Sequence, residues 1–195
     1  MKIGILGGTF NPIHSGHLAM AQYVLENTET DKICFLPNGQ PPHKKNDKIS
    51  DKHHRLKMVE LAIENNPDFY VSDYEIMQDK HCYTVDTIKH FNSLGDDEYY
   101  FIIGADSLFQ LSYWKNPDEL KKICSFIVCD RERQGDTVAE VERLKKDGCN
   151  IVLCDMPLIN ITSTDIRAKV KNGADISGLT PDAVIEYIYN NKLYL

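Results

Sequence analysis

The chain has little that would take it to a membrane, a nucleic acid or an oxidising compartment. No apolar run approaches the roughly 20 residues that a membrane-spanning helix needs. Acidic residues outnumber basic ones by 29 to 22, and a formal net charge of -7 argues against the basic surface that a nucleic-acid partner requires. No leader precedes the first apolar run, Lys2 to Leu6, which makes a cytoplasmic protein the expectation. The six cysteines (Cys34, Cys82, Cys124, Cys129, Cys149, Cys154) include no C-x-x-C pair. The grouped spacing of a metal or redox site is therefore missing. Most of them sit in strand-like runs, where free cysteine behaves as a small hydrophobe and fits a reducing compartment. Low-complexity tracts, internal repeats and linkers are also missing. One domain over residues 1–195 is expected, and 42% hydrophobic content is ordinary for a chain with a full core. The N-terminal turn reads Gly4-x-x-Gly7-Gly8 and lacks the dinucleotide fingerprint, which sets aside an NAD-dependent dehydrogenase.

What is present alternates. Strand-like runs stand at Lys2–Leu6, Ile33–Leu36, Phe69–Val71, Tyr99–Ile103, Ser125–Cys129 and Asn150–Cys154. Helix-like segments, Leu18–Glu26, Lys52–Asn65, Val85–Leu94 and Thr137–Lys146, separate most of them. This alternation predicts an α/β fold, a doubly wound parallel sheet covered on both faces, with a small C-terminal helical part. In such a sheet ligands collect beyond the carboxyl ends of the strands. Five polar clusters follow strands in this chain, so they are expected to converge on one edge.

The sharpest cluster is Gly7-Gly8-Thr9-Phe10-Asn11-Pro12-Ile13-His14-Ser15-Gly16-His17-Leu18. The two glycines are expected to let a ligand approach the main chain, and Asn11-Pro12 is turn chemistry. Ser15 is a candidate N-cap, with the helix opening at Gly16-His17. A helix N-terminus there suits phosphate, and His14 and His17 would both point at it. Lys44, in Pro41-Pro42-His43-Lys44-Lys45, is a candidate phosphate clamp. Thr84 is either an N-cap or a ligand contact. Asp106, in Gly104-Ala105-Asp106-Ser107, either accepts ribose hydroxyls or caps a short helix. Trp114 is the only tryptophan, and it stands in a loop-like stretch where a face is free to stack on a ring. In Ile161-Thr162-Ser163-Thr164-Asp165-Ile166-Arg167, hydroxyls start a helix and Arg167 follows; Ser163, Thr164 and Arg167 would hold phosphate, with a capped surface helix as the alternative. In the tail, Thr180 reads as a cap and Pro181 as the first helical residue. Val184, Ile185 and Ile188 form one apolar stripe there, so the segment reads as core packing alone.

The glycine–histidine run resembles the signature of the nucleotidylyltransferase superfamily. Pro41-Pro42-His43-Lys44, Tyr83-Thr84-Val85-Asp86-Thr87, Gly104-Ala105-Asp106 with Trp114-Lys115, and Ser163-Thr164-Asp165-Ile166-Arg167 are similar to the nicotinate mononucleotide adenylyltransferases of bacteria. So are Val184-Ile185-Glu186-Tyr187-Ile188 and Leu193-Tyr194. The resemblance covers essentially the whole chain in order. Departures are Thr162 for a usual serine, Asn11 for a frequent aspartate, Cys82 for a common serine, and Asp130-Arg131-Glu132-Arg133-Gln134-Gly135 for an arginine-proline-glycine; Arg131 and Arg133 both stay open as the adenine-side arginine.

The resemblance implies a Rossmann-like fold and transfer of AMP from ATP to nicotinate mononucleotide, giving deamido-NAD and pyrophosphate. It implies catalytic roles for His14, His17, Lys44 and Arg167. ATP would meet Gly7, Gly8, Thr9, Phe10, His14, His17, Gly104, Asp106, Arg133, Thr162, Ser163 and Arg167. The mononucleotide would meet Asn38, His43, Lys44, Thr84, Trp114 and Lys115. Mg²⁺ would arrive on the ATP phosphates, with no metal site of the protein's own. Competing readings are a related adenylyltransferase acting on nicotinamide mononucleotide or phosphopantetheine, and a regulatory module that binds nucleotide without turnover.

Overall fold

A computed structural model describes residues 1–39, 49–130, 135–157 and 159–195. Among these, the chain forms strands β1 Lys2–Gly8, β2 Lys32–Pro37, β3 Phe69–Val71, β4 Glu98–Gly104, β5 Ser125–Asp130 and β6 Asn150–Asp155. They make one sheet of order β3-β2-β1-β4-β5-β6. Each strand stands where its apolar run predicts it. The helices are α1 Ser15–Asn27, α2 Lys52–Ile63, α3 Thr84–Asn92, α4 Ala105–Phe109, α5 Pro117–Ile123, α6 Gly135–Lys146, α7 Ser163–Lys171 and α8 Asp182–Asn190. The α/β, Rossmann-like reading holds.

β1 runs parallel to β4, from Lys2 opposite Glu98 to Leu6 opposite Ile102. β4 runs parallel to β5, and β5 to β6. β4, β5 and β6 therefore end together, with Gly104 opposite Cys129 and Asp130 opposite Asp155. The chain goes from β1 to β2 on one side and returns to β4 on the other. That reversal is the switch point at which open α/β sheets hold ligands.

The chain packs as two compact units. The first comprises Met1–Gly7, Met20–Cys34 and Cys82–Leu158. Its core is the near-continuous apolar run of parallel strands, Ile3, Ile5, Leu6, Ile102, Phe126, Ile127 and Val128, all buried, as strands covered on both faces require. Lys89 of α3 pairs with Glu119 of α5 at 2.7 Å, and Asn92 donates to the carbonyl of Ile123 at 3.0 Å, ending α5. The second unit comprises Gly8–Ala19, Phe35–His81 and Ile159–Leu195. Buried Phe10, Ile13, Phe35, Met58, Val59, Ile76, Ile166, Val184 and Ile188 form its core. His54 of α2 and the Tyr187 hydroxyl of α8 share a hydrogen bond of 2.8 Å. Five of the six cysteines are buried and all six are free thiols, as small core hydrophobes should be.

Candidate active site

The turn that leaves β1 is held by its own carbonyl groups. In the second unit, Arg167 Nη1 donates to the Asn11 carbonyl at 2.9 Å. Ser163 Oγ donates to the Pro12 carbonyl at 2.8 Å, and Thr180 Oγ1 donates to the Ile13 carbonyl at 2.8 Å. Three consecutive carbonyls thus meet three side chains from the C-terminal segment. The side chain of Asn11, 3% exposed, accepts from the Ser50 N–H at 3.1 Å and the Tyr194 hydroxyl at 2.9 Å. Buried carbonyls must be satisfied, and here that need fixes the turn in one shape.

This arrangement corrects several expectations. Thr180 does not cap α8; Pro181 takes that position with no side-chain cap, and the threonine hydroxyl ties down the turn. With Tyr194 it gives the tail more than core packing to do. Ser163 Oγ is committed to Pro12, and Thr164 Oγ1 accepts from Arg167 Nη2 at 3.3 Å. Thr162 is the N-cap of α7: its hydroxyl accepts from the Asp165 N–H at 3.1 Å and donates to the Asp165 carboxylate at 2.6 Å. What this helix start still offers an anion is backbone N–H and the remaining donors of Arg167.

α1 begins one residue earlier than the sequence suggests. The His14 carbonyl accepts from the N–H groups of His17 and Leu18 at 2.9 and 3.3 Å. Ser15 does not cap; its hydroxyl donates to the Gly178 carbonyl at 3.0 Å. The rings of His14 and His17 stack with centroids 3.6 Å apart and planes 29° from parallel. The His14 N–H donates to His17 Nδ1 at 3.2 Å. An acceptor at Nδ1 leaves the proton of a neutral His17 ring on Nε2, which is then a donor.

The two signature glycines serve packing. Both lie in β1, and neither has a positive φ. A Cβ on Gly8 would stand 2.9 Å from the Phe10 ring. Phe10 is itself 2% exposed and takes the left-handed region at φ 46°. Its ring meets His17 edge-on at 5.0 Å. In the first unit a Cβ on Gly7 would stand 2.9 Å from the Phe101 ring, and Phe101 meets Trp114 edge-to-face at 6.2 Å. Room that the sequence suggests for ligand is therefore filled by rings.

Gly104 is the opposite case. It ends β4 at an ordinary φ of -77°, and a Cβ there would have nothing within 4 Å. Asp106 next to it is exposed and caps nothing, since the cap of α4 is Gly104 with no side-chain bond. Thr84 is the first residue of α3 rather than its cap, which is Tyr83. Trp114 follows the short 3₁₀ turn Leu111–Tyr113 and is half-buried. Lys115 Nζ lies 5.8 Å above the Tyr83 ring. His43, Lys44, Arg131 and Arg133 lie outside the described residues.

Arg55 was not a candidate from sequence, yet it lies at the root of the second unit's turn. It is 1% exposed. Its Nη1 donates to the Thr9 carbonyl at 2.7 Å and to Asn38 Oδ1 at 3.3 Å. Its Nη2 donates to the Gly39 carbonyl at 2.8 Å and its Nε to the Ser50 carbonyl at 3.2 Å. Asn38 also donates from its backbone N–H to the Gly8 carbonyl at 2.9 Å and from Nδ2 to Thr9 Oγ1 at 3.3 Å. The signal was available: Arg55 shares one helical face with Met58, Val59 and Ile63, all buried, and a cation on an apolar stripe has a task there.

A parallel α/β sheet with paired histidines at the first strand–helix junction defines a nucleotide-handling class, and the chain belongs to the cytidylyltransferase-like family, whose model matches residues 5–169. Within that class it is 42% identical over 196 residues to a probable nicotinate-nucleotide adenylyltransferase of Caldicellulosiruptor saccharolyticus, covering 100% of this chain and 99% of that protein. It is 43% identical over 197 residues to a protein of the same name from Clostridium novyi, covering 99% of this chain and 98% of that one. Among solved structures, the fold is similar to Plasmodium falciparum nicotinic acid mononucleotide adenylyltransferase complexed with NaAD. The TM-score is 0.81 at 22% identity, covering 99% of this chain and 97% of that one.

Proposed function

We propose that this chain transfers AMP from ATP to nicotinate mononucleotide, forming nicotinic acid adenine dinucleotide and pyrophosphate. The observation that carries the reading is end-to-end identity above 40% to proteins named for that activity. The stacked pair His14–His17 at the opening of α1 supports a phosphate site at that turn. The 5′-phosphate oxygen of the mononucleotide attacks the α-phosphorus of ATP in line; a P–O bond forms, and pyrophosphate leaves with the electrons of the α–β bond. Such a displacement needs positioning and charge neutralisation more than covalent help.

His17 Nε2–H donates to an ATP phosphate oxygen, with its ring held by the His14 N–H. The backbone N–H groups of Gly8 to Phe10 and of Ser163 and Thr164 serve as further donors. Arg167, already fixed on Asn11, and Lys44 oppose charge on the attacking and leaving oxygens. Asp106 accepts from ribose hydroxyls, and Gly104 leaves room for the nucleoside against the β4 end. Arg131 or Arg133 serves the adenine side. Trp114 stacks on the pyridine ring, with Lys115, Thr84, Asn38 and His43 engaging the mononucleotide. Among the described residues no cluster of His, Cys, Asp or Glu could hold a metal ion. Mg²⁺ would arrive on the ATP phosphates and would supply charge neutralisation there. The chain works as one nucleotidylyltransferase domain. No helix among the described residues is long and apolar enough to cross a membrane, and six free thiols suit the cytoplasm.

The test is product identity. Protein incubated with ATP, Mg²⁺ and nicotinate mononucleotide should release pyrophosphate and nicotinic acid adenine dinucleotide in equal amounts, read by mass spectrometry. ATP consumed with AMP or ADP as product would contradict the reading.

A further inference from the structure

Arg55 carries a charge that the fold alone does not explain. Four neutral oxygens receive its donors, those of Thr9, Asn38, Gly39 and Ser50. Among the described residues no carboxylate stands in ion-pair contact with it. The ionisable groups that act on it are the Tyr194 hydroxyl and Asp51, and one Asp51 carboxylate oxygen is engaged by the His53 N–H at 2.8 Å. Burial pushes the Arg55 pKa down, yet a guanidinium stays protonated at neutral pH. A buried cation whose donors all meet neutral oxygens is costly, and an apolar residue on the α2 face would avoid that cost.

The bond to Thr9 gives the charge a direction. The Thr9 carbonyl and the Phe10 N–H belong to one peptide unit, so a cation on the carbonyl polarises the group and strengthens the N–H as a donor. We infer that Arg55 is a positioning residue that raises the phosphate affinity of the signature turn, by its charge and by polarising the Thr9–Phe10 peptide. This rests on the reading above that the turn holds ATP phosphate.

The test is Arg55→Lys, with ATP binding followed by calorimetry from pH 6 to pH 9 and adenosine as the phosphate-free control. A buried lysine loses its proton far more readily than an arginine. ATP affinity of the variant should lie within about threefold of wild type at pH 6 and fall on the order of tenfold below it by pH 9. Adenosine affinity should match wild type throughout. Arg55→Met should bind ATP weakly at every pH. The proposal is overturned if Arg55→Lys keeps a constant ratio to wild type across the range, if ATP and adenosine weaken equally, or if Arg55→Met binds ATP as wild type does. Should Arg55→Met fail to fold, the lysine profile decides; failure of both variants to fold assigns Arg55 to the architecture and overturns the proposal as well. Wild-type protein that binds no ATP would contradict the proposed function itself.

Discussion

The backbone N–H of His14 donates to Nδ1 of His17 across 3.2 Å, so one histidine's main chain orients the other's ring. A side chain held in this way is a pre-set donor for charge that develops on phosphate. Replacing His17 by Ala should lower kcat on the order of a hundredfold, as loss of a preorganised donor does elsewhere. The melting temperature should move little, because the ring is only half-buried. His17→Gln, which can place an N–H near the Nε2 position, should recover part of the loss. Steady-state kinetics and thermal melts on the two variants check this; turnover of His17→Ala at the wild-type rate would rule the role out.

Two glycines should respond in opposite ways. Gly8→Ala would press a methyl group against the buried Phe10 ring, at 2.9 Å before relaxation, and should cost roughly 1–3 kcal/mol of stability. Gly104→Ala meets open space at an ordinary φ. It should leave the melting temperature unchanged while raising the KM for ATP about tenfold, since a nucleoside close to that backbone would meet the new methyl group. Urea titration and ATP kinetics on both variants separate packing from binding.

The Tyr194 hydroxyl ties the C-terminal tail to Asn11 at 2.9 Å. Burial pushes its pKa up, to about 12 from an ordinary 10. The folded state thus holds the proton more tightly than the unfolded state. This contribution is complete below pH 10 and is lost as pH rises from 10 through about 12. Tyr99 and Tyr100 shift the same way, chiefly through burial, so wild-type stability should fall across that window. Tyr194→Phe should fall less steeply there. It should also lower kcat at neutral pH severalfold, because Asn11 Oδ1 keeps only the Ser50 N–H of the two donors it accepts from. Urea melts at pH 8, 10 and 11 check the first expectation; equal slopes for the two proteins would refute it.

Trp114 is half-buried and shares one edge contact with Phe101. Trp114→Leu should raise the KM for nicotinate mononucleotide on the order of tenfold and change the KM for ATP less than threefold, as expected if the ring stacks on pyridine. Equal effects on both substrates would point to a packing role instead.

The strands were legible because doubly covered parallel strands must be almost wholly apolar, and six such runs stood apart in the chain. The turn Gly7 to Leu18 was legible because two histidines and two glycines at a strand–helix junction are an unusual set. What the sequence hid was long-range. Ser163, Thr180 and Tyr194 stand 151, 167 and 183 residues from their partners, and a hydroxyl that bonds a distant carbonyl looks like a cap or a core tyrosine when only its neighbours are visible. The same holds for Gly8: whether a missing side chain admits a ligand or a ring from Phe10 depends on a backbone turn at φ 46°, which residue types alone do not specify. Arg55 shows in the sequence only as a cation on an apolar helical face, because α2 carries no recognisable motif around it.

The central claim is the acceptor, and the most direct measurement is pyrophosphate release from ATP and Mg²⁺ with nicotinate mononucleotide, nicotinamide mononucleotide and phosphopantetheine offered separately. Rapid release with nicotinate mononucleotide, and far slower release with the other two, is the expected result. Release with none of them, from folded protein that still binds ATP, would contradict it and favour a regulatory module that binds nucleotide without turning it over.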